Sequence, residues 1–133
     1  MNKGFTLMEL TIVLAILAIL ALILVPIFLN STDRARLRGD IQSARVIQNA
    51  VELYRVERGR TLTGSMSTIL TTLENSGFLS ASDTDIQTEG ASWIINAQQQ
   101  IVVNIANSPD GVHRAYSTLP EAERQAVANG RGG

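Results

Sequence analysis

Between Phe5 and Thr32 the chain carries one charged residue, Glu9, and from Leu10 to Thr32 it carries none. The apolar run Leu10–Leu29 is 20 residues long. About 20 apolar residues at a 1.5 Å rise cover a hydrocarbon core of roughly 30 Å. The run is therefore long enough to span a membrane. A secretory signal would have a shorter apolar stretch and a small-residue cleavage site beyond it, and none follows Leu29. An ionised carboxylate at the mouth of such a segment is costly, roughly 2.5–3.5 kcal/mol at a helix centre and less near an end. Glu9 needs a compensating partner, and that need points toward function.

The residues before the run are Lys3-Gly4-Phe5-Thr6-Leu7-Met8-Glu9. Gly4 lacks a Cβ, so the backbone there can lie extended in a protease cleft. Cleavage of the Gly4–Phe5 bond would create an α-amine on Phe5. In a helix starting at Phe5, Phe5 and Glu9 share a face, and the amine could neutralise the carboxylate. Pro26 cannot donate a hydrogen bond to the Leu22 carbonyl and is expected to kink or loosen the helix.

Gly4-Phe5-Thr6-Leu7-Met8-Glu9 followed directly by an apolar helix resembles the N-terminal signal of type IV pilins and pseudopilins. The resemblance covers about the first 30 residues. It implies cleavage after Gly4 by a membrane peptidase, N-methylation of Phe5, and retention of the apolar segment as membrane anchor and later filament core. It implies that the Phe5 amine pairs with Glu9 of a neighbouring copy, setting the axial register, and that the helix unwinds partly around Pro26. Many relatives carry a glycine within the run, where this chain has Ala15, Ala18 and Ala21. The implied partners are further copies of the chain, a prepilin peptidase and methyltransferase, an assembly platform with an ATPase motor, and the bilayer. The implied location is the cytoplasmic membrane before assembly and a cell-surface filament after it. The charge rule runs the other way: Lys3 flanks one end of the span, and Arg34, Arg36 and Arg38 flank the other. The processing signal nevertheless requires the N-terminus inside.

Beyond the anchor, Leu37, Ile41, Ala44, Ile47, Ala50, Val51 and Tyr54 recur at spacings of three and four. This predicts an amphipathic helix over 33–58, closed by Gly59 and continuous with the anchor from Phe5. Thr61–Ser65 reads as a linker, and Met66, Ile69, Leu70 and Leu73 as a short helix ending near Gly77. Residues 80–90 read as an acidic surface loop. Residues 91–96 and 101–106 read as a hairpin of strands, and Val112–Ser117 as a third strand. Thr118-Leu119-Pro120-Glu121 resembles a capping box before a helix over 121–128. Residues 130–133 are expected to fray. The predicted fold class is α+β: a leader at 1–4, an anchor half-helix at 5–32, an amphipathic half at 33–59, and a small head at 60–133.

The chain has no cysteine and a single histidine, His113. This removes disulfides and thiolate metal sites, and leaves no nucleophile–base constellation. No enzyme chemistry and no cofactor is read here. His113 is expected to decorate a strand. Asp83, Asp85 and Glu89 are spaced somewhat like calcium ligands but read better as a solvated loop. The sequon Asn30-Ser31-Thr32 abuts the membrane and is discounted. Residues 33–60 hold seven arginines and four acids, a balance of +3, and residues 61–133 hold three arginines and seven acids, a balance of −4. Basic stems meeting acidic heads of other copies is one consequence; ordinary solvated charge is the other. Arg34, Arg36, Arg38 and Arg45 could touch phosphate, but no aromatics are interleaved, so DNA enters as a partner without support. The sequence leaves three functions open: a pilus subunit, a pseudopilin of a secretion or competence system, and an uncleaved single-pass protein with a ligand-binding head.

Overall fold

The computed structural model describes residues 4–130, and of residues 26 and 28–30 the backbone only. The expectations for Lys3 and for the end of the chain at 131–133 lie outside the described residues, as do those on the side chains of Pro26 and Asn30. Helix α1 runs from Leu7 to Arg58, 52 residues without a break, or roughly 78 Å at 1.5 Å per residue. It passes through Pro26 as helix. Its end is set by Gly59, whose φ of 63° only glycine adopts freely and whose N–H reaches the Arg55 carbonyl at 3.0 Å.

The two halves of α1 have opposite surroundings. The large apolar side chains described from Phe5 to Ile27 are all exposed. On the second half, Leu37, Ile41, Ala44, Ile47 and Ala50 are buried, with Val51 and Tyr54 packed at the margin. The head covers that stripe. Helix α2 (Met66–Asn75) is capped by Ser65, whose hydroxyl accepts from the Thr68 N–H, and it contributes Ile69 and Leu73 to the core. Phe78 folds back edge-on to Tyr54, with ring centroids 5.5 Å apart.

Strands β1 (Ser92–Ile95) and β2 (Ile101–Asn104) form an antiparallel hairpin with Trp93 opposite Val103. Asn96 organises the turn by accepting the N–H groups of Gln98 and Gln100, and Gln99 takes φ 61°. Ile101, Val102 and Val103 are all buried, as a central strand covered on both faces requires.

Two expectations fail after β2. Residues 112–117 are helical, not a strand: helix α3 spans Asp110–Ser117. Val112, Ala115, Tyr116 and Leu119 follow the helical repeat, Pro109 presets the entry, and Asp110 favours the positive helix end. The anticipated C-terminal helix is only α4, Glu121–Arg124. The chain then extends so that β3 (Val127–Ala128) lies parallel to β2. The sheet order is β1-β2-β3. The Thr118 cap also fails. Pro120 takes the cap position without a side-chain bond, and Thr118 instead donates to the Ala115 carbonyl, closing α3.

The segment 80–90 is more than a surface loop. It contains a 3₁₀ turn, Ala81–Thr84, and ends with Thr88 buried against α1. Asp40, fully buried on the apolar stripe, accepts the N–H groups of Gln87 at 2.8 Å and Thr88 at 2.7 Å. Two charge-assisted bonds to main chain satisfy a carboxylate that burial alone would penalise. Asp40 thus pins the strap to the stem, a role no sequence expectation assigned to it. The signal was there: a lone acid one residue from Ile41 and three from Leu37, inside an apolar stripe.

Candidate functional site

The N-terminal segment contains every residue singled out by the processing reading except Pro26. Gly4, Phe5 and Thr6 are exposed and lie outside the helix. Nothing lies within 4 Å of where a Gly4 Cβ would be. The helix starts at Leu7, two residues later than Phe5, because Thr6 acts as its cap. The Thr6 hydroxyl accepts the Glu9 N–H at 3.2 Å, and the Glu9 carboxylate accepts the Thr6 N–H at 3.1 Å through Oε2. This reciprocal pair satisfies two donors that a helix start leaves unpaired. Phe5 therefore does not share a helix face with Glu9 within the chain.

Glu9 thus has a partner within its own chain. One of its oxygens is held by the main chain and sits at the positive end of the helix, where a negative charge is favoured by about 0.3–1 kcal/mol. Thr11, the next polar side chain, buries its need in the same way by donating to the Leu7 carbonyl at 2.7 Å. From here the helix is bare. Leu7–Val25 has a mean hydropathy of 2.9 and no part of it is buried in the subunit. Each Leu or Ile left in water forfeits about 1.5–3 kcal/mol relative to full burial. By length and composition the segment suits lipid, or the flanks of other such helices.

The other sequence candidates resolve as follows. Asp83 caps the 3₁₀ turn: the Ser80 hydroxyl and then the Ser80 N–H bond to it and lower its pKa below the ordinary aspartate value. Among the described residues no three acids or histidines are placed to hold a metal ion. His113 lies on α3, not on a strand, with Nδ1 2.7 Å from the Asn129 amide oxygen. Stem and head are joined by a charge pair between Arg38 and Glu123 at 3.0 Å.

Residues 1–25 match the prokaryotic N-terminal methylation motif. In this motif, the bare apolar helix behind it and the α+β head, the chain is similar to type IV pilins and pseudopilins. Among curated proteins it is similar to prepilin peptidase-dependent protein A of Clostridium perfringens, 43% identical over 54 residues, or 41% of this chain and 39% of that protein. It is similar to type II secretion system core protein G of Aeromonas hydrophila, 32% identical over 59 residues, 44% of this chain and 41% of that one. The core protein G of Klebsiella michiganensis is 29% identical over 59 residues, 44% and 42% of the two chains. The chain spans about two fifths of the length of these relatives. No solved structure matches it.

Proposed function

We propose that the chain is a structural subunit of a type IV pilus or related filament. It is anchored in the cytoplasmic membrane by α1, cut between Gly4 and Phe5, methylated on Phe5, and polymerised through the bare half of α1. The observation that carries this is the processing motif set on an exposed, non-helical Gly4–Phe5 bond directly before a capped apolar helix. A protease binds its substrate extended, and here the helix begins only after the bond. Thr6 engages one Glu9 oxygen, which leaves the second for the Phe5 amine of a neighbouring copy. A buried ion with half its pair missing is penalised by about 3–5 kcal/mol, so this contact selects register as well as adding attraction. Pro26 is the point where the helix would loosen on assembly. Packing of the apolar half of α1 against the same half of other copies supplies most of the filament contact. A peptidase, a methyltransferase, an assembly platform and a motor are the partners the reading requires.

A second reading is a pseudopilin of a type II secretion system, favoured by the likeness to two core G proteins. Both readings share the processing step. Intact-mass analysis of the N-terminus from the native host tests it. The expected chain begins at Phe5 and is one methyl group heavier than the bare cleaved chain. A chain still beginning at Met1 with the peptidase present would favour an uncleaved membrane protein and remove the amine assigned to Glu9.

A further inference from the structure

We propose that Arg34 and Arg114 form a phosphate-binding cleft that takes a phospholipid headgroup while the subunit resides in the bilayer. Arg34 lies five residues beyond Leu29, the last residue of the apolar run, or roughly 7–8 Å along the helix axis. The headgroup layer is roughly 5–7 Å deep on each side of the hydrocarbon core, and an arginine side chain reaches along it. Helix α3 brings the second arginine to this level. It sits so close to α1 that a Cβ on Gly111 would lie 2.8 Å from Asp33 Oδ2. Arg114, on the next turn of α3, then lines a cleft of about 310 Å³ together with Arg34, Ala115, Ser117 and Thr118.

The two guanidiniums are the groups in this cleft that can hold an anion. The Ser117 and Thr118 hydroxyls already donate to the Arg114 and Ala115 carbonyls. Arg38, Arg55 and Arg124 each meet a carboxylate, whereas among the described residues neither Arg34 nor Arg114 is ion-paired. Nε of Arg34 is shielded from solvent and makes no hydrogen bond. Planar guanidiniums match phosphate oxygens better than ammonium groups do. The bound headgroup would steady the head against the membrane surface before the subunit is withdrawn. The inference rests on the membrane anchoring of α1 in the proposed function.

The test uses the full chain in neutral detergent micelles, with native mass spectrometry reading retained lipid. Three probes are offered: phosphatidylglycerol, diacylglycerol, which lacks the phosphate, and glycerol phosphate, which lacks the chains. The expected result is retention of phosphatidylglycerol over both others. The Arg34→Gln/Arg114→Gln double variant should lose it by about tenfold or more. Arg36→Gln, outside the cleft, should keep it, and circular dichroism should show all variants folded. Equal retention by the double variant, equal loss in Arg36→Gln, or equal retention of diacylglycerol overturns the cleft. Glycerol phosphate competing as well as the whole lipid overturns the lipid source in favour of a soluble phosphate. A chain that inserts in micelles but fails these tests leaves the filament reading standing. A chain that does not insert removes both.

Discussion

Glu9 and Asp40 solve the same problem at two places along one helix. Each is a carboxylate in apolar surroundings, and each is answered by main-chain N–H groups. Their consequences differ. Replacing Asp40 by Ala leaves the Gln87 and Thr88 N–H groups unmatched beneath the strap, at about 1–3 kcal/mol each. Asp40→Ala should therefore destabilise the head by about 2–5 kcal/mol, read from thermal unfolding of the full chain in micelles by Trp93 fluorescence. Glu9→Ala removes half of one helix cap, worth about 0.5–2 kcal/mol. It should leave membrane insertion intact while abolishing filaments under the electron microscope. Normal filaments in that variant would remove Glu9 from assembly. Asp83 belongs to the same scale. Its pKa is lowered in the fold by the Ser80 hydroxyl and then the Ser80 N–H. The contribution of this capping contact is thus complete above the ordinary aspartate range and is lost as pH falls through the lowered value. Protection of the 81–84 amides, measured against their intrinsic exchange rates at each pH, should therefore fall in acid and not at neutral pH.

At the level of elements, α1 was readable because its signals are local: an unbroken apolar run, a three-and-four stripe, and a glycine just past Arg58. Helix α2 was readable for the same reason. The α3 segment reads as a strand because Val112 and Tyr116 are acceptable in both states. The deciding evidence is the longer repeat through Leu119 and the Pro109-Asp110 entry. Strand β3 is two residues long and exists only because β2 offers an edge, with Val103 and Ile105 donating to the Ala126 and Ala128 carbonyls. No local pattern could announce it. The residues of the candidate site stand together in the sequence, whereas their geometry does not. The motif named Gly4, Phe5 and Glu9, while the Thr6 cap that moves the helix start past Phe5 emerged only with the fold. The turns make a sharp contrast. An alanine Cβ at Gly90 would stand 2.6 Å from the Asn107 carbonyl oxygen at φ 72°, whereas at Gly59, φ 63°, it would meet nothing within 4 Å. Gly90→Ala should cost about 2–4 kcal/mol and Gly59→Ala about 1 kcal/mol, compared by denaturant titration.

Across the whole molecule, the charge asymmetry of stem and head is used at least once inside the subunit. Arg38 and Glu123 join them with side chains 49% and 28% exposed. A pair this open contributes at most about 1 kcal/mol and is screened by salt. An Arg38–Glu123 double-mutant cycle should give a coupling of that size at low ionic strength and near zero in concentrated salt. A larger, salt-resistant coupling would mean the pair is closed off by something besides this chain. The bare half of α1 has a different consequence. Lipid tails and the flanks of Leu- and Ile-rich helices are nearly equivalent solvents. Transfer from one to the other therefore releases little hydrophobic free energy. For the proposed filament subunit, the direction of travel must then come from elsewhere, from a polar pairing or from mechanical work. For the filament subunit proposed above, exchange without that bias would run backward as readily as forward, so a subunit leaving a fibre would return to the bilayer as an intact monomer.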